Sequence, residues 1–365
     1  MISATNVSLS FGDRTLFSGV NIKFTAGNCY GIIGANGAGK STFVRILSGD
    51  IQPDTGEVSV SPGERVAVLR QDQNQFDDYS VLHTVIMGYK HLYEVMIEKD
   101  SIYEKPDFSE EDGIRAAELE GEFSELGGWE AESEAGRLLS GLGIGDELLE
   151  VRMRDLDGAQ KVRVLLAQAL FGAPDILLLD EPTNNLDLES ISWLEDFLLQ
   201  FKNTVIVVSH DRHFLNRVTT HIADIDFGRI SVFVGNYDFW FHSSQLAKKQ
   251  SRDQKKRRED KVAELKAFIQ RFSSNAARSR QATSRRKLID KLTIDDIKPT
   301  SRKTPYINFS PEREPGKKVL EIAGLSKTVE EEPVLHDFDL SVQAGDKIAF
   351  VGPYHRAKTA LFEIV

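Results

Sequence analysis

The run Gly34-Ala35-Asn36-Gly37-Ala38-Gly39-Lys40-Ser41, with Thr42 after it, combines glycines, a lysine and hydroxyls at a spacing suited to holding a chain of phosphates. Glycine lets backbone approach an anion, amides at a helix N-terminus point toward its charge, Lys40 reaches β- and γ-oxygens, and Ser41 can ligate Mg²⁺. A second set follows at Asp180-Glu181-Pro182, where Asp180 suits Mg²⁺ held through water and Glu181 suits polarising an attacking water. His210 can reach a γ-phosphate or orient Glu181, and Gln71 can contact the metal or the water. Taken singly, a glycine-rich turn, an Asp-Glu pair, a Gln or a surface His is ordinary. Their order along one chain predicts a site that binds and hydrolyses a nucleoside triphosphate.

Such groups need rigid elements behind them. Short apolar runs at Gly31 to Ile33, Val66 to Leu69, Ile176 to Leu179 and Thr204 to Val208 read as buried strands, and amphipathic stretches near Ser41 to Leu47, Gln160 to Phe171 and Leu188 to Phe201 read as helices. This alternation predicts an α/β domain with a largely parallel sheet, whose strands end at the site. The acid-rich stretch between Phe76 and Leu156 reads as a helical insert between two core strands. From about Phe241 to Lys303, Val262, Leu265, Phe268, Ile269 and Phe272 recur at helical spacing, followed by Leu288, Ile289 and Leu292. Two antiparallel helices with a basic tip around Arg278 to Lys287 satisfy both stripes.

Charge is distributed unevenly. Residues 247–303 hold 19 Lys/Arg against 7 Asp/Glu, a balance of +12, which leaves −23 for the rest of a chain whose total is −11. No stretch approaches the roughly 18 apolar residues of a membrane span, and no basic segment followed by an apolar run marks a secretory signal. The single cysteine, Cys29, lies among apolar neighbours and reads as a small core residue; a cytoplasmic protein is expected. The chain also repeats itself, because Val319 to Gly352 can be laid on Met1 to Gly34 at an offset of 318.

Together the Gly34 loop, Gln71, Leu156-Asp157-Gly158-Ala159-Gln160, Asp180-Glu181-Pro182-Thr183-Asn184-Asn185-Leu186-Asp187 and Ser209-His210 resemble, in order, the motif set of ATP-binding cassette proteins. The second cassette start and the basic linker, with Arg271-Phe272 and Ser279-Arg280-Gln281-Ala282, resemble the ABC-F translation factors, nearest the YbiT-like branch. That resemblance implies a cassette over residues 1–236 with an arm-like insert at about 76–155, a helical hairpin linker over 237–305, and the N-terminal part of a second, incomplete cassette over 306–365. It implies ATP and Mg²⁺ as ligands, Phe11 as the aromatic that stacks on adenine, and the ribosome with its peptidyl-site tRNA as partners. Arg271, Arg278, Arg280, Arg285, Arg286 and Lys287 would then face RNA, and the arm would lean on the ribosome.

The sequence also departs from that family. Asp157 stands where the signature carries Ser, and Ala159 replaces its second Gly; an ionised Asp facing phosphate repels it. In the second loop, Gly352-Pro353-Tyr354-His355-Arg356-Ala357-Lys358-Thr359, His355 and Ala357 replace Gly37 and Gly39, and Val329 replaces Phe11. Val365 precedes any second signature, so the second cassette reads as truncated and the Gly34 loop needs the signature of another cassette or a homodimer partner; a fragment, a decayed or shortened gene product and a chain that pairs with another cassette all stay open. Three other readings stay open: the ATPase subunit of a membrane transporter, a DNA-associated ATPase, and an inactive remnant.

Overall fold

Apolar runs unbroken by polar residues become strands when both faces are covered. A computed structural model, which describes residues 1–12, 14–70, 72–272, 284, 288–289, 316–329, 332–352 and 355–365, contains such strands at the heart of its first unit. Two units are present, Met1–Lys303 and Thr304–Val365. The first opens with β1 (Ile2–Phe11), β2 (Arg14–Phe24), β3 (Cys29–Gly34), α1 (Lys40–Leu47), β4 (Thr55–Val60) and β5 (Val66–Val68). An insert follows, of α2 (Val81–Ile86), α3 (Lys90–Tyr103), α4 (Glu110–Glu125) and α5 (Ala131–Gly141). The chain then returns to the core through α6 (Gly158–Leu170), β6 (Ile176–Asp180), α7 (Leu188–Gln200), β7 (Thr204–Val208), α8 (Arg212–Val218), β8 (His221–Asp226) and β9 (Arg229–Val234). The long helix α9 (Tyr237–Phe272) ends the continuous part.

The six-stranded sheet runs β5-β6-β7-β3-β8-β9, parallel except for the final antiparallel pair. Side chains alternate between its faces, as period-two geometry requires. Leu177, Leu179, Val205 and Val207 enter one core with the insert helices and α6 to α8; Ile176, Leu178, Ile206 and Val208 enter another with α1. That second core is closed by a three-stranded antiparallel sheet, β2-β1-β4, which the α/β alternation did not announce. Its strands alternate buried and exposed residues, the pattern of a sheet covered on one side. Cys29 packs in the first core, where burial pushes its thiol pKa up to about 12 and leaves it protonated and inert.

The first turn of α9 is rooted on the cassette. Trp240 is buried and its indole N–H donates to Asp224 on β8 at 3.2 Å, while Asp238 N donates to the side chain of Asn216 on α8. At a rise of about 1.5 Å per residue, its 36 residues reach about 54 Å. Of the expected RNA-facing residues, Arg271 falls in the last turn of α9, and Arg278, Arg280, Arg285, Arg286 and Lys287 lie outside the described residues, as does the tip of the expected hairpin. Among the described residues, no helix is long and apolar enough to cross a membrane.

In the second unit, β10 (Lys318–Val329) and β11 (Glu332–Gln343) form an antiparallel pair, and α10 (His355–Ile364) follows. Register repeats at the offset of 318: Ile2↔Phe24 matches Leu320↔Val342, and Leu9↔Phe17 matches Lys327↔Leu335. Bulge chemistry repeats too, since Gly19 N donates to Ser8 Oγ as Asp337 N does to Ser326 Oγ. Two features differ. Residues 347–352 form no strand where the first unit has β3, because no strand flanks them among the described residues and strand amides need partners. Helix α10 also starts three residues earlier than its counterpart, at His355, so residues that avoid positive φ have drawn the loop into helix.

Candidate nucleotide site

Three adjacent strands bring the chemistry to one edge. In the parallel register, Asp180 and Ile32 both stand level with Val208, so β6, β7 and β3 end together. Beyond those ends lie Glu181, Ser209-His210 and the Gly34 loop. Asp180 shares its face of β6 with Ile176 and Leu178, the face covered by α1. The carboxylate is thereby directed to the side of the sheet on which the loop opens, two strands or ~10 Å away.

The loop takes its shape from its glycines. Gly37 has φ +74° and Gly39 φ +98°, values that residues with a side chain rarely adopt. A Cβ on Gly39 would lie 3.2 Å from both Leu16 and Phe17, and one on Gly34 would come 3.0 Å from the Ile225 carbonyl. Ala38 N donates to the Ala35 carbonyl at 3.0 Å and closes the turn before α1. Lys40 starts α1 and is largely buried; its Nζ donates to the Gly34 and Ala35 carbonyls at 3.3 and 3.4 Å, so the ammonium lies over the loop. Ser41 is exposed and Thr42 half-buried in the same turn. Phe11 is 57% exposed at the end of β1.

Glu181 is held in a constrained pose. Its φ is +52°, its amide donates to Val208 O at 2.8 Å, and its Oε2 accepts from His210 N at 3.2 Å. Glu181 Oε1 is buried without a hydrogen bond, 3.5 Å from His210 Nε2. Ser209 Oγ lies 3.5 Å from Thr183 Oγ1 and accepts from Asp211 N, which ties the two strand ends together. Asp211 then caps α8 through the amides of His213 and Phe214.

The signature residues adopt a different arrangement from the one their charge suggested. Asp157 is the N-cap of α6: its carboxylate accepts from Gln160 N at 2.8 Å while the Gln160 side chain accepts from Asp157 N at 3.1 Å. The acid is thus turned onto its own helix, where the dipole favours it, and the helix begins at Gly158 rather than Gln160. Leu156 is buried beneath, and Gly158 and Ala159 are exposed. Spacing alone gave Asp187 no part, yet it caps α7 through Ser190 N and pairs with Arg163 of α6 at 3.0 Å. Burial alone would raise its pKa, but the Ser190 hydrogen bonds and Arg163 outweigh it and hold the carboxyl below its usual range. The Asp directly before a helical run was the signal that marks it as a cap. Gln71 lies outside the described residues; β5, which precedes it, borders β6.

These residues fit a nucleotide with a divalent cation. The glycine turn presents backbone rather than side chains, the Lys40 ammonium lies over it, and a buried Glu181 oxygen has no hydrogen bond. No group of three His, Cys, Asp or Glu side chains placed to hold a metal ion occurs among the described residues. One hydroxyl and one carboxylate suit Mg²⁺, which draws its other ligands from phosphate and water.

Known proteins resemble this chain across its whole length. Two family profiles described as ABC transporter match residues 17–184 and 223–309. The chain is 63% identical, over its whole length and 68% of the relative's, to an uncharacterized ABC transporter ATP-binding protein of Bacillus subtilis, YkpA. It is 46% identical, again over 100% of its length and 68% of the relative's, to the probable ATP-binding protein YbiT of Escherichia coli O157:H7. A solved ATP-binding subunit of an ABC transporter shares the fold, with a TM-score of 0.50 at 17% identity over 64% of this chain and 90% of that one. With sequence relatives this near and a cassette fold beneath them, the chain belongs to the ATP-binding cassette family and is an ATPase of its ABC-F, YbiT-like type.

Proposed function

We propose that this ATPase is a nucleotide-gated factor of the ribosome, in which ATP bound at the Gly34–Thr42 loop governs how a basic helical linker engages RNA. The observation that carries this reading is the charge separation: +12 over residues 247–303, most of them beyond the root of a long helix, in a chain that is otherwise acidic. Basic helices gain affinity for phosphate backbones by releasing counterions, whereas the acidic remainder repels them. Peptidyl-site tRNA is the partner that the ABC-F resemblance adds, and the cytoplasm is where such a factor works.

At the nucleotide, Phe11 offers a face to adenine, and the Gly34, Ala35, Asn36, Gly37, Ala38, Gly39 and Thr42 backbone encloses the phosphates. Lys40 leaves the loop carbonyls for the β- and γ-oxygens. Ser41 and Asp180, with Gln71, would hold Mg²⁺, which when bound neutralises charge across those oxygens. Glu181 accepts a hydrogen bond from the attacking water, and His210 fixes the Glu181 carboxylate through its backbone N–H. The α6 start at Leu156–Gln160 faces a nucleotide on a second cassette, supplied by a partner chain or another copy.

The test is ribosome co-sedimentation of the Glu181→Gln variant with and without ATP. Retention that needs ATP and disappears on deleting residues 247–303 is expected; no ATP-dependent retention, or retention indifferent to the deletion, overturns the reading. Duplex DNA competing as well as RNA at matched salt would instead favour a DNA-associated ATPase.

A further inference from the structure

The turn between β1 and β2 ends on the cross-strand pair Phe11↔Arg14. From there Arg14 reaches the phosphate loop, where its Nη2 donates to the Gly37 carbonyl at 2.7 Å. A guanidinium has five donors and keeps its charge at any physiological pH. Among the described residues this is the one hydrogen bond that the Arg14 side chain makes, and no Asp or Glu among them forms an ion pair with it. Its exposed positive charge stands beside a loop shaped for an anion.

The contact acts on a single peptide plane. The Gly37 carbonyl points to Arg14, and the N–H of the same peptide, on Ala38, donates to the Ala35 carbonyl. Because that unit is planar, the two bonds fix the loop's tightest turn from opposite sides. The second unit provides an internal comparison. There the equivalent pair is Val329↔Glu332, so the cation is replaced by an anion at the offset of 318. Glu332 faces Arg356 at 3.7 Å, and Arg356 occupies the place of Ala38. A tie between turn and loop persists in both units, but its sign is inverted in the unit where His355 and Ala357 replace Gly37 and Gly39 and the helix starts at His355. The cation on the turn accompanies the intact cradle.

We propose that Arg14 is a further nucleotide-binding residue, which fixes the Gly37 peptide and supplies positive charge to the polyphosphate of ATP or ADP held on the loop. This rests on nucleotide binding at that loop. The test measures equilibrium affinity for fluorescent ATP and ADP analogues with Mg²⁺, at low and high salt, using the full chain. Arg14→Ala and Arg14→Gln are expected to bind about tenfold more weakly at low salt, the range of a charge-assisted hydrogen bond. Arg14→Lys is expected to stay within about threefold of wild type because it keeps the charge. The difference between wild type and Arg14→Gln should shrink in high salt. Wild-type affinity in Arg14→Gln overturns the proposal, as does an equal loss in all three variants accompanied by a lowered melting temperature, which marks a merely structural tie. Lys40→Ala distinguishes the underlying reading: if wild type binds no better than Lys40→Ala, the nucleotide site itself fails and the role of Arg14 falls with it.

Discussion

Two residues at the nucleotide edge hold backbone conformations that their neighbours must maintain. Glu181 stands at φ +52° and Gly39 at φ +98°, and only the second has no side chain to strain. Gly39 is also confined spatially, because a Cβ there would press on Leu16 and Phe17 of β2. Gly39→Ala is therefore expected to cost about 1–3 kcal/mol of stability and to weaken ATP binding at least about tenfold. Gly49 is the control, with φ +83° but no atom within 4 Å of where a Cβ would stand. Its alanine variant should lose some stability and keep wild-type affinity, by calorimetric melting and nucleotide titration; equal affinity losses in both would show that strain, not the loop, was measured.

Helix starts are the elements that carry most of the remaining chemistry. Asp157 caps α6, Asp187 caps α7 and Asp211 caps α8, so each acid is turned onto the start of its own helix. Asp157 therefore need not be read as an anion aimed at phosphate. A serine can make the same cap without the charge. Asp157→Ser is expected to change stability by less than about 0.5 kcal/mol and to leave ATPase activity unchanged, whereas Asp157→Ala should cost about 1 kcal/mol through loss of the cap. Denaturant titration with parallel turnover measurements checks both; a serine variant with raised turnover would show that the Asp157 charge acts on a nucleotide after all.

Across the whole molecule, one fold beginning is written twice with different consequences. Lys358 Nζ donates to Gly352 O as Lys40 Nζ does to Gly34 O, yet the second loop has His355 and Ala357 where the first has the positive-φ glycines Gly37 and Gly39. Lys40→Ala is expected to abolish nucleotide binding and Lys358→Ala to leave it unchanged, by equilibrium dialysis with ATP; loss in the second variant would mean that the helical loop still binds.

Local sequence was enough to specify the four central strands and the glycine-rich turn, because each is written in short-range periodicity or in residue types that a single turn demands. Ile176 to Leu179 could hardly be other than a buried strand, and Gly37 and Gly39 had to mark backbone that other residues avoid. How distant segments come to share a face was settled only by folding. The antiparallel β2-β1-β4 sheet is assembled from pairings that include partners tens of residues apart, and no local pattern specifies them. The direction of the Asp157 carboxylate and the reach of Arg14 to Gly37 were likewise settled in space. A side chain's charge is legible in sequence, but the group it answers depends on which surfaces folding brings within hydrogen-bond distance.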